Sequence, residues 1–384
     1  MDFTFSPELE RLRQTMRAFT EQEVKPLAGQ IDRRGEVPRG LIARLAELGC
    51  FGLPFPTEYG GGGLGELGYC VMMEELGHGC ASVSATVAAH VSIGVTAIAL
   101  DGGEALKRAY LPALCRGEKL AAYALTEAGA GSDAGAMRTA ARDAGEAFLL
   151  NGEKMFITNG GFADVITTFA VTDAAKRSRG GITCFVVEAA WPGVSTASVG
   201  EKMGLRGSST TFVRYDNVRV PKENVVGQVG AGFRTAMRTQ DIGRLSIAAT
   251  ALGATKEVLA LCRAHAAQQP YRGKPLAEQQ IIQFMLADIA ANVYAIESML
   301  YRCAWMADAG MPFTREASIT KMLASDMQDR VIDLGLQIQG AAGVRVGSTL
   351  ERFYRDARIS RIFEGTNEIQ RLVIARDVLQ RGAG

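Results

Sequence analysis

No two of the seven cysteines (Cys50, Cys70, Cys80, Cys115, Cys184, Cys262 and Cys303) stand at C-x-x-C spacing. So odd and dispersed a set reads as neither a zinc site nor a disulfide framework, and reduced thiols in a cytoplasmic setting are the expectation. Histidine is scarce: His78, His90 and His265 are far apart and lack partners at ligand spacing, so no metal site is expected. Neither charge is in surplus, with 42 Lys and Arg against 41 Asp and Glu. That balance offers nothing to attract nucleic acid or an anionic membrane surface. The start, MDFTFSPELERLRQ, lacks the apolar core of a secretory signal. Walker and G-x-S-x-G sequences are missing as well.

From Cys80 to Leu100 there is no formally charged residue at all. The stretch has the length of a membrane span. Ser82, Ser84, Thr86, His90, Ser92 and Thr96 interrupt it at short intervals, which predicts a buried, pocket-lining helix and no membrane span. His90 reads as a satisfied core or surface histidine before it reads as a pocket residue.

With 384 residues, 47% of them hydrophobic, the chain can bury a large core in more than one domain. Its first third reads as helical. Ser6-Pro7-Glu8 is a cap and first-turn proline, with Leu9, Leu12, Met16 and Phe19 on one face. Gly49 marks a helix stop, and residues 54–68, with their four consecutive glycines, read as a loop. Near residue 120 the texture changes to short aromatic and β-branched runs. Asn151-Gly152, Asn159-Gly160 and Gly180-Gly181 punctuate them as hairpin and turn signals. Without intervening helices, this is an antiparallel domain and no βαβ nucleotide fold. From about residue 231 long helices return, apolar at three- and four-residue spacing. The fold class is therefore mostly α with a central β domain: 1–120 helical, 121–230 β, 231–384 a helical bundle.

Two stretches could carry chemistry. TEAGAGSDAG (126–135) formally satisfies G-x-G-x-x-A, yet strand follows it with no crossover helix. It reads either as a plain turn or as a loop whose N–H groups, with the hydroxyls of Thr126 and Ser132, bind an anionic or carbonyl-rich ligand. In RDARISRIFEGTNEIQRLVIARDV (355–378), Glu364 stands between Phe363 and Gly365, ahead of a helix that Thr366 or Asn367 can cap. It reads either as an acid favoured by the helix dipole or as a desolvated carboxylate with a raised pKa, suited to accept a proton.

Together, YALTEAGAGSD, NGEKMFITNG, VPKENVVG, GKPLAEQQIIQFMLADIA and RDARISRIFEGTNEIQRLVIAR, in this order, resemble the acyl-CoA dehydrogenases over essentially the whole chain. The resemblance implies an N-terminal helical domain, a middle β-barrel, a C-terminal four-helix bundle, and one FAD in each subunit of a homotetramer. It implies Glu364 as the base that takes the α proton of an acyl-CoA thioester, FAD as hydride acceptor, and an electron-transferring flavoprotein as partner. In some relatives the base stands at a position that is Gly243 here, which cannot serve. Tyr123, Leu125, Thr126, Gly131 and Ser132 match the flavin-binding stretch, and Phe156, Ile157 and Thr158 its stack on the flavin ring, with Phe in place of Trp. Gln280, Gln337, Gly340, Thr366 and Glu368 match further cofactor contacts, some reaching a neighbouring subunit. Ser132, Asp241, Arg244 and Gly365 match substrate-binding positions.

This chain departs from the family at QPYRGK, where Gln269 replaces an arginine on the FAD pyrophosphate and Arg272 takes an aromatic position. An arginine–phosphate pair is stronger than an amide contact, so FAD affinity is the property at stake. The departure also motivates an acyl-carrier-protein-linked or oxygen-using relative as an alternative; a non-catalytic CoA- or FAD-binding protein is another. The absence of arginine from 80–100 argues against a dicarboxyl substrate. Small residues there (Ala85, Ala88, Ala89, Gly94) leave room for an acyl chain.

Overall fold

A computed structural model describes residues 4–381. The first helix spans Pro7–Phe19, and Ser6 Oγ accepts the Leu9 N–H at 3.2 Å. The helix Arg39–Glu47 stops just before Gly49, whose φ of 71° only glycine adopts freely. The loop expected over 54–68 is shorter than predicted, because a helix, Gly65–Gly79, begins inside it. Its cap comes from far along the chain: the Asp308 carboxylate accepts the N–H groups of Glu66 (2.7 Å) and Leu67 (3.0 Å). No local residue announces such a cap.

The uncharged segment is helical from Ala81 to Asp101, with a π-helical stretch at Ala89–Val95. Among the described residues three helical stretches, Ala81–Asp101, Gly232–Gln268 and Gln280–Asp308, are long and apolar enough to cross a membrane. The first two lie mostly inside the protein. His90 is fully buried and satisfied: its Nδ1 accepts the Ala121 N–H (2.9 Å), Nε2 faces the Leu114 carbonyl (3.1 Å), and burial pulls its pKa to about 3. It is the core histidine the sequence suggested.

Eight strands follow: β1 (Ala121–Ala124), β2 (Ala140–Asp143), β3 (Ala147–Thr158), β4 (Val165–Val171), β5 (Ile182–Glu188), β6 (Val194–Ser198), β7 (Thr210–Pro221) and β8 (Val225–Val226). They pair in the order β6-β7-β3-β2-β4-β5-β8, with β1 beside β4. The sheet is mixed, since β1 and β2 both run parallel to β4. Among the described residues no ladder joins β6 to β8. Asn151-Gly152 is not the turn its sequence suggests. It lies inside β3, where the pairing with β7 shifts register, and a Cβ on Gly152 would fall 2.6 Å from Thr139 Oγ1.

The last third is built on helices Gly232–Gln268, Gln280–Asp308, Thr314–Gln339 and Asn367–Arg381. The first three pack on one another, and Asn367–Arg381 packs on Thr314–Gln339. Gly232–Gln268 also crosses Gly65–Gly79 almost backbone to backbone; a Cβ on Gly253 would lie 1.9 Å from the Glu74 carbonyl oxygen. That crossing ties the two helical regions together and sets the N-terminal half of Gly232–Gln268 against Ala81–Asp101.

Candidate active site

Glu364 sits on a turn that the backbone adopts only under constraint, with φ of +53° followed by +84° at Gly365. Three side chains clamp it. Lys321 Nζ donates to the Gly365 carbonyl (2.7 Å) and to Asn367 Oδ1 (3.0 Å). Gln370 Nε2 donates to the carbonyls of Glu364 and Gly365, both at 3.0 Å, and Thr366 Oγ1 accepts the Ile369 N–H to cap the next helix. A positive φ at a bulky residue costs roughly 1–2 kcal/mol, and these bonds offset it.

The carboxyl of Glu364 keeps some solvent access, although protein surrounds it. Burial raises its pKa to about 7, opposed by the positive charges of Arg244 and Lys321. The helix-dipole reading fails for this acid. It suits Glu368, in the first turn, whose pKa is lowered by its backbone N–H and by Thr366. The neighbouring arginines are structural: Arg355 pairs with Asp32 (2.7 Å) and Arg361 with Asp326 (3.0 Å) and Asp329 (3.2 Å).

Arg244 is buried. Its Nη1 donates to Asp241 Oδ1 (2.5 Å) and Ser318 Oγ (3.2 Å), while Thr314 donates to Asp241 Oδ2 (2.6 Å). The pair therefore turns into the protein, and among the described residues the arginine's Nε has no partner. Lys321 and Ser318 escaped the sequence reading. A signal was present: Ser-x-x-Lys spacing puts both on one face of Thr314–Gln339. Burial pulls Lys321 down to about 8, with Glu364 acting in the opposite sense.

A second group gathers at the glycine-rich loop. Its base is a buried ion pair: Lys154 Nζ donates to Glu127 Oε1 (2.9 Å) and to the Leu125 carbonyl (3.0 Å). Glu127 also accepts the N–H groups of Arg138 and Thr139. Braced this way, Gly131 and Ser132 stand exposed, and a short turn and β2 follow with no crossover helix. The Thr126 carbonyl accepts the Met155 N–H (2.8 Å), which ties the loop to β3 beside Phe156. Phe156 has φ of +60° and is 57% exposed, at a second register shift of β3, while Ile157 is buried and Thr158 half-buried. Tyr123 is buried, within electrostatic reach of Glu364.

A third group lies apart in the fold. Gln269 lines an open hollow of about 370 Å³ with His265, Tyr271, Leu276, Ile338, Gln339, Ala341 and Ala342. Arg272, Gln280, Gln337 and Gly340 are exposed, and Arg272 lies over the Tyr271 ring at 5.3 Å. Among the described residues no cluster of three or more His, Cys, Asp and Glu side chains could hold a metal.

Family models for the acyl-CoA dehydrogenase N-terminal, middle and C-terminal domains match residues 6–118, 122–218 and 230–379. The chain belongs to the acyl-CoA dehydrogenase family. It is 38% identical to the short-chain-specific acyl-CoA dehydrogenase of Clostridium acetobutylicum, over 99% of this chain and all of that one. The butyryl-CoA dehydrogenase structure from Megasphaera elsdenii superposes with a TM-score of 0.97 at 38% identity, covering 99% of this chain and 100% of that one. An FAD-complexed acyl-CoA dehydrogenase from Bacillus anthracis gives 0.92 at 36% identity, over 98% of this chain and 67% of that one.

The enzyme is a flavoprotein whose cofactor is FAD. The residues present fit that group. An aromatic face held outward by a strained bulge, next to exposed loop N–H groups, is a surface prepared for a flat ring and a polar tail.

Proposed function

We propose that the enzyme desaturates a short acyl-CoA between its α and β carbons, with Glu364 as the base. Its carboxylate takes the α proton as the α C–H bond breaks, and that electron pair forms the new double bond while hydride leaves the β carbon. FAD, held by the 123–132 stretch and Phe156-Ile157-Thr158, supplies the hydride acceptor. The observation that carries this reading is Glu364 on its clamped turn with a pKa near about 7, where a base is strong yet ionised at neutral pH. Lys321 and Gln370 hold the turn. Arg244 provides positive potential on the side where the carboxylate forms. Ser132, Gly365, Asp241 and the free Nε of Arg244 are the groups assigned to the CoA thioester.

The finer architecture belongs to the same reading: domains of 1–120, 121–230 and 231–384, a β-barrel closed in the family's manner, and a C-terminal four-helix bundle. A homotetramer is supported by Gln280–Asp308, whose most apolar stretch is only 22% buried and which leaves Ile281, Phe284, Tyr294 and Trp305 exposed. In that assembly Gln269, Arg272, Gln280, Gln337, Gly340, Thr366 and Glu368 would meet cofactor, some across a subunit boundary. An electron-transferring flavoprotein is the acceptor proposed, and the seven free, buried cysteines support a reducing, cytoplasmic location.

The test is Glu364→Gln. It should keep bound FAD and lose roughly 10²–10⁴-fold or more in the rate of anaerobic flavin bleaching by butyryl-CoA. Near-normal bleaching would remove Glu364 as base. Turnover with the flavoprotein acceptor but not with oxygen separates this reading from the oxygen-using branch.

A further inference from the structure

The loop that joins β6 to β7, residues 199–209, is wedged between the N-terminal helices and the helix Thr349–Ala357. Leu205 donates its N–H to Asp356 Oδ1 (2.6 Å), and a Cβ on Gly204 would fall 2.2 Å from the Arg355 carbonyl oxygen. Arg355 Nη1 donates to the Met203 carbonyl (3.1 Å), while its Nη2 donates to Asp32 Oδ2 (2.7 Å). On the opposite side Gly207 donates its N–H to Ser82 Oγ (3.2 Å), and a Cβ there would fall 2.2 Å from Ile31 Cγ2. A loop packed this closely on three helices takes its position from them.

From that seat the loop runs directly into the strand end assigned to the flavin. The Ser209 carbonyl accepts the Asn159 N–H (2.9 Å), and Thr210 and Thr211 open β7 opposite Thr158 and Ile157. Asn159 is wholly buried, and its Nδ2 donates to the carbonyls of Thr86 (2.9 Å) and Ala121 (3.2 Å). Lys202 closes the loop here: its Nζ donates to the Ser208 carbonyl and to Thr210 Oγ1 (2.8 Å).

The other direction leads to the base. The chain is helical from Thr349 through Arg361 without a break, and Glu364 follows at once. Strain marks the same route. Of the seven non-glycine residues with positive φ among those described, Phe156, Asn159, Leu205 and Glu364 all lie on it. Such conformations persist only where surrounding bonds impose them. At Leu205, with φ of +48°, the bond to Asp356 does so. Asp356 is buried, and burial raises its pKa to about 6, opposed by the Leu205 N–H and by the charge of Arg352. A carboxylate withdrawn from water is retained for the bonds it makes.

We propose that Asp356 and Lys202 are positioning residues, which fix the 202–208 loop so that the Phe156-Ile157-Thr158 end of β3 and the turn of Glu364 keep one mutual placement. They act through Leu205, Ser208 and Asn159, not by contact with substrate. This rests on the dehydrogenase reading, in which that strand end holds the flavin ring and Glu364 meets the thioester.

The test follows bound FAD by visible-region circular dichroism, which reports the surroundings of the ring, beside stopped-flow bleaching by butyryl-CoA and thermal melts of the holoenzyme. Asp356→Ala should alter the flavin dichroism and slow bleaching at saturating thioester by about 10²-fold, the effect of a displacement of about 1 Å. Asp356→Asn keeps an oxygen that accepts the Leu205 N–H, so both readouts should stay close to wild type. Lys202→Met should also alter the dichroism, and it decides the matter should Asp356→Ala fail to fold. Wild-type dichroism and rate in a folded Asp356→Ala or Lys202→Met variant overturn the proposal, even where the melt shifts. An asparagine variant as impaired as alanine overturns it too, since the bond to Leu205 survives that change. Phe156→Ala tests the reading beneath: unchanged dichroism and FAD retention there would place the ring elsewhere, and both would fall.

Discussion

The Glu364 carboxylate occupies the volume that a side chain on Gly243 would need. A Cβ at residue 243 would lie 2.5 Å from Glu364 Oε2 and 3.1 Å from Ile93 Cγ2. The two positions at which the family resemblance implies a base thus share one space here, and the glycine leaves it to the acid from the C-terminal turn.

Gly243→Ala should therefore move the base without removing it. Displacing a reacting group by about 1 Å costs on the order of 10²-fold. Flavin bleaching by butyryl-CoA should slow by that factor while bound FAD stays at the wild-type level. Stopped-flow absorbance and the flavin-to-protein ratio measure the two.

Lys321→Met should shift the pH dependence. The base works when ionised, so the rate rises with pH through the Glu364 pKa, near about 7 in the free enzyme. The lysine's charge opposes the rise that burial causes; without it the pKa climbs further, and the acid limb of kcat/KM moves to higher pH. An unmoved or acid-shifted limb would show that Lys321 acts on the turn alone.

Phe156→Gly should separate stability from cofactor binding. Glycine relieves a backbone held at φ +60° but adds freedom to the unfolded chain, so the apoprotein should change by no more than about 1 kcal/mol. Loss of the exposed ring should weaken FAD retention by tenfold or more. Thermal melts of apoprotein and fluorescence titration with FAD read the two effects.

Arg272→Phe tests the departure at QPYRGK. Arg272 is exposed over Tyr271 and, among the described residues, pairs with no carboxylate, so its charge is free for a phosphate. Faster loss of flavin on dialysis of the variant, increasingly so at low salt, is expected. Equal retention would make the substitution neutral.

Much of the architecture was legible before any coordinates. The long helices begin at Gly232, where the three- and four-residue apolar spacing returns near residue 231, since that periodicity is a local property. Glu364 stood out because a carboxylate between Phe363 and Gly365 is locally odd. Asn151-Gly152 misled, because the same glycine freedom that makes a turn also makes a bulge, and only the pairing of β3 with β7 decides which forms.

The sequence by itself determined the order of helix and strand and the buried character of 81–101, which follow from near neighbours in the chain, while Glu364 kept two local readings and only the family resemblance implied a base. The tertiary structure decided what those residues do. It put Glu364 into the space beside Gly243, set Lys321 under its turn, and lent Asp308 as a cap for Gly65–Gly79. Each of these joins residues distant in sequence, and burial converts such proximity into a shifted pKa, which no local pattern records.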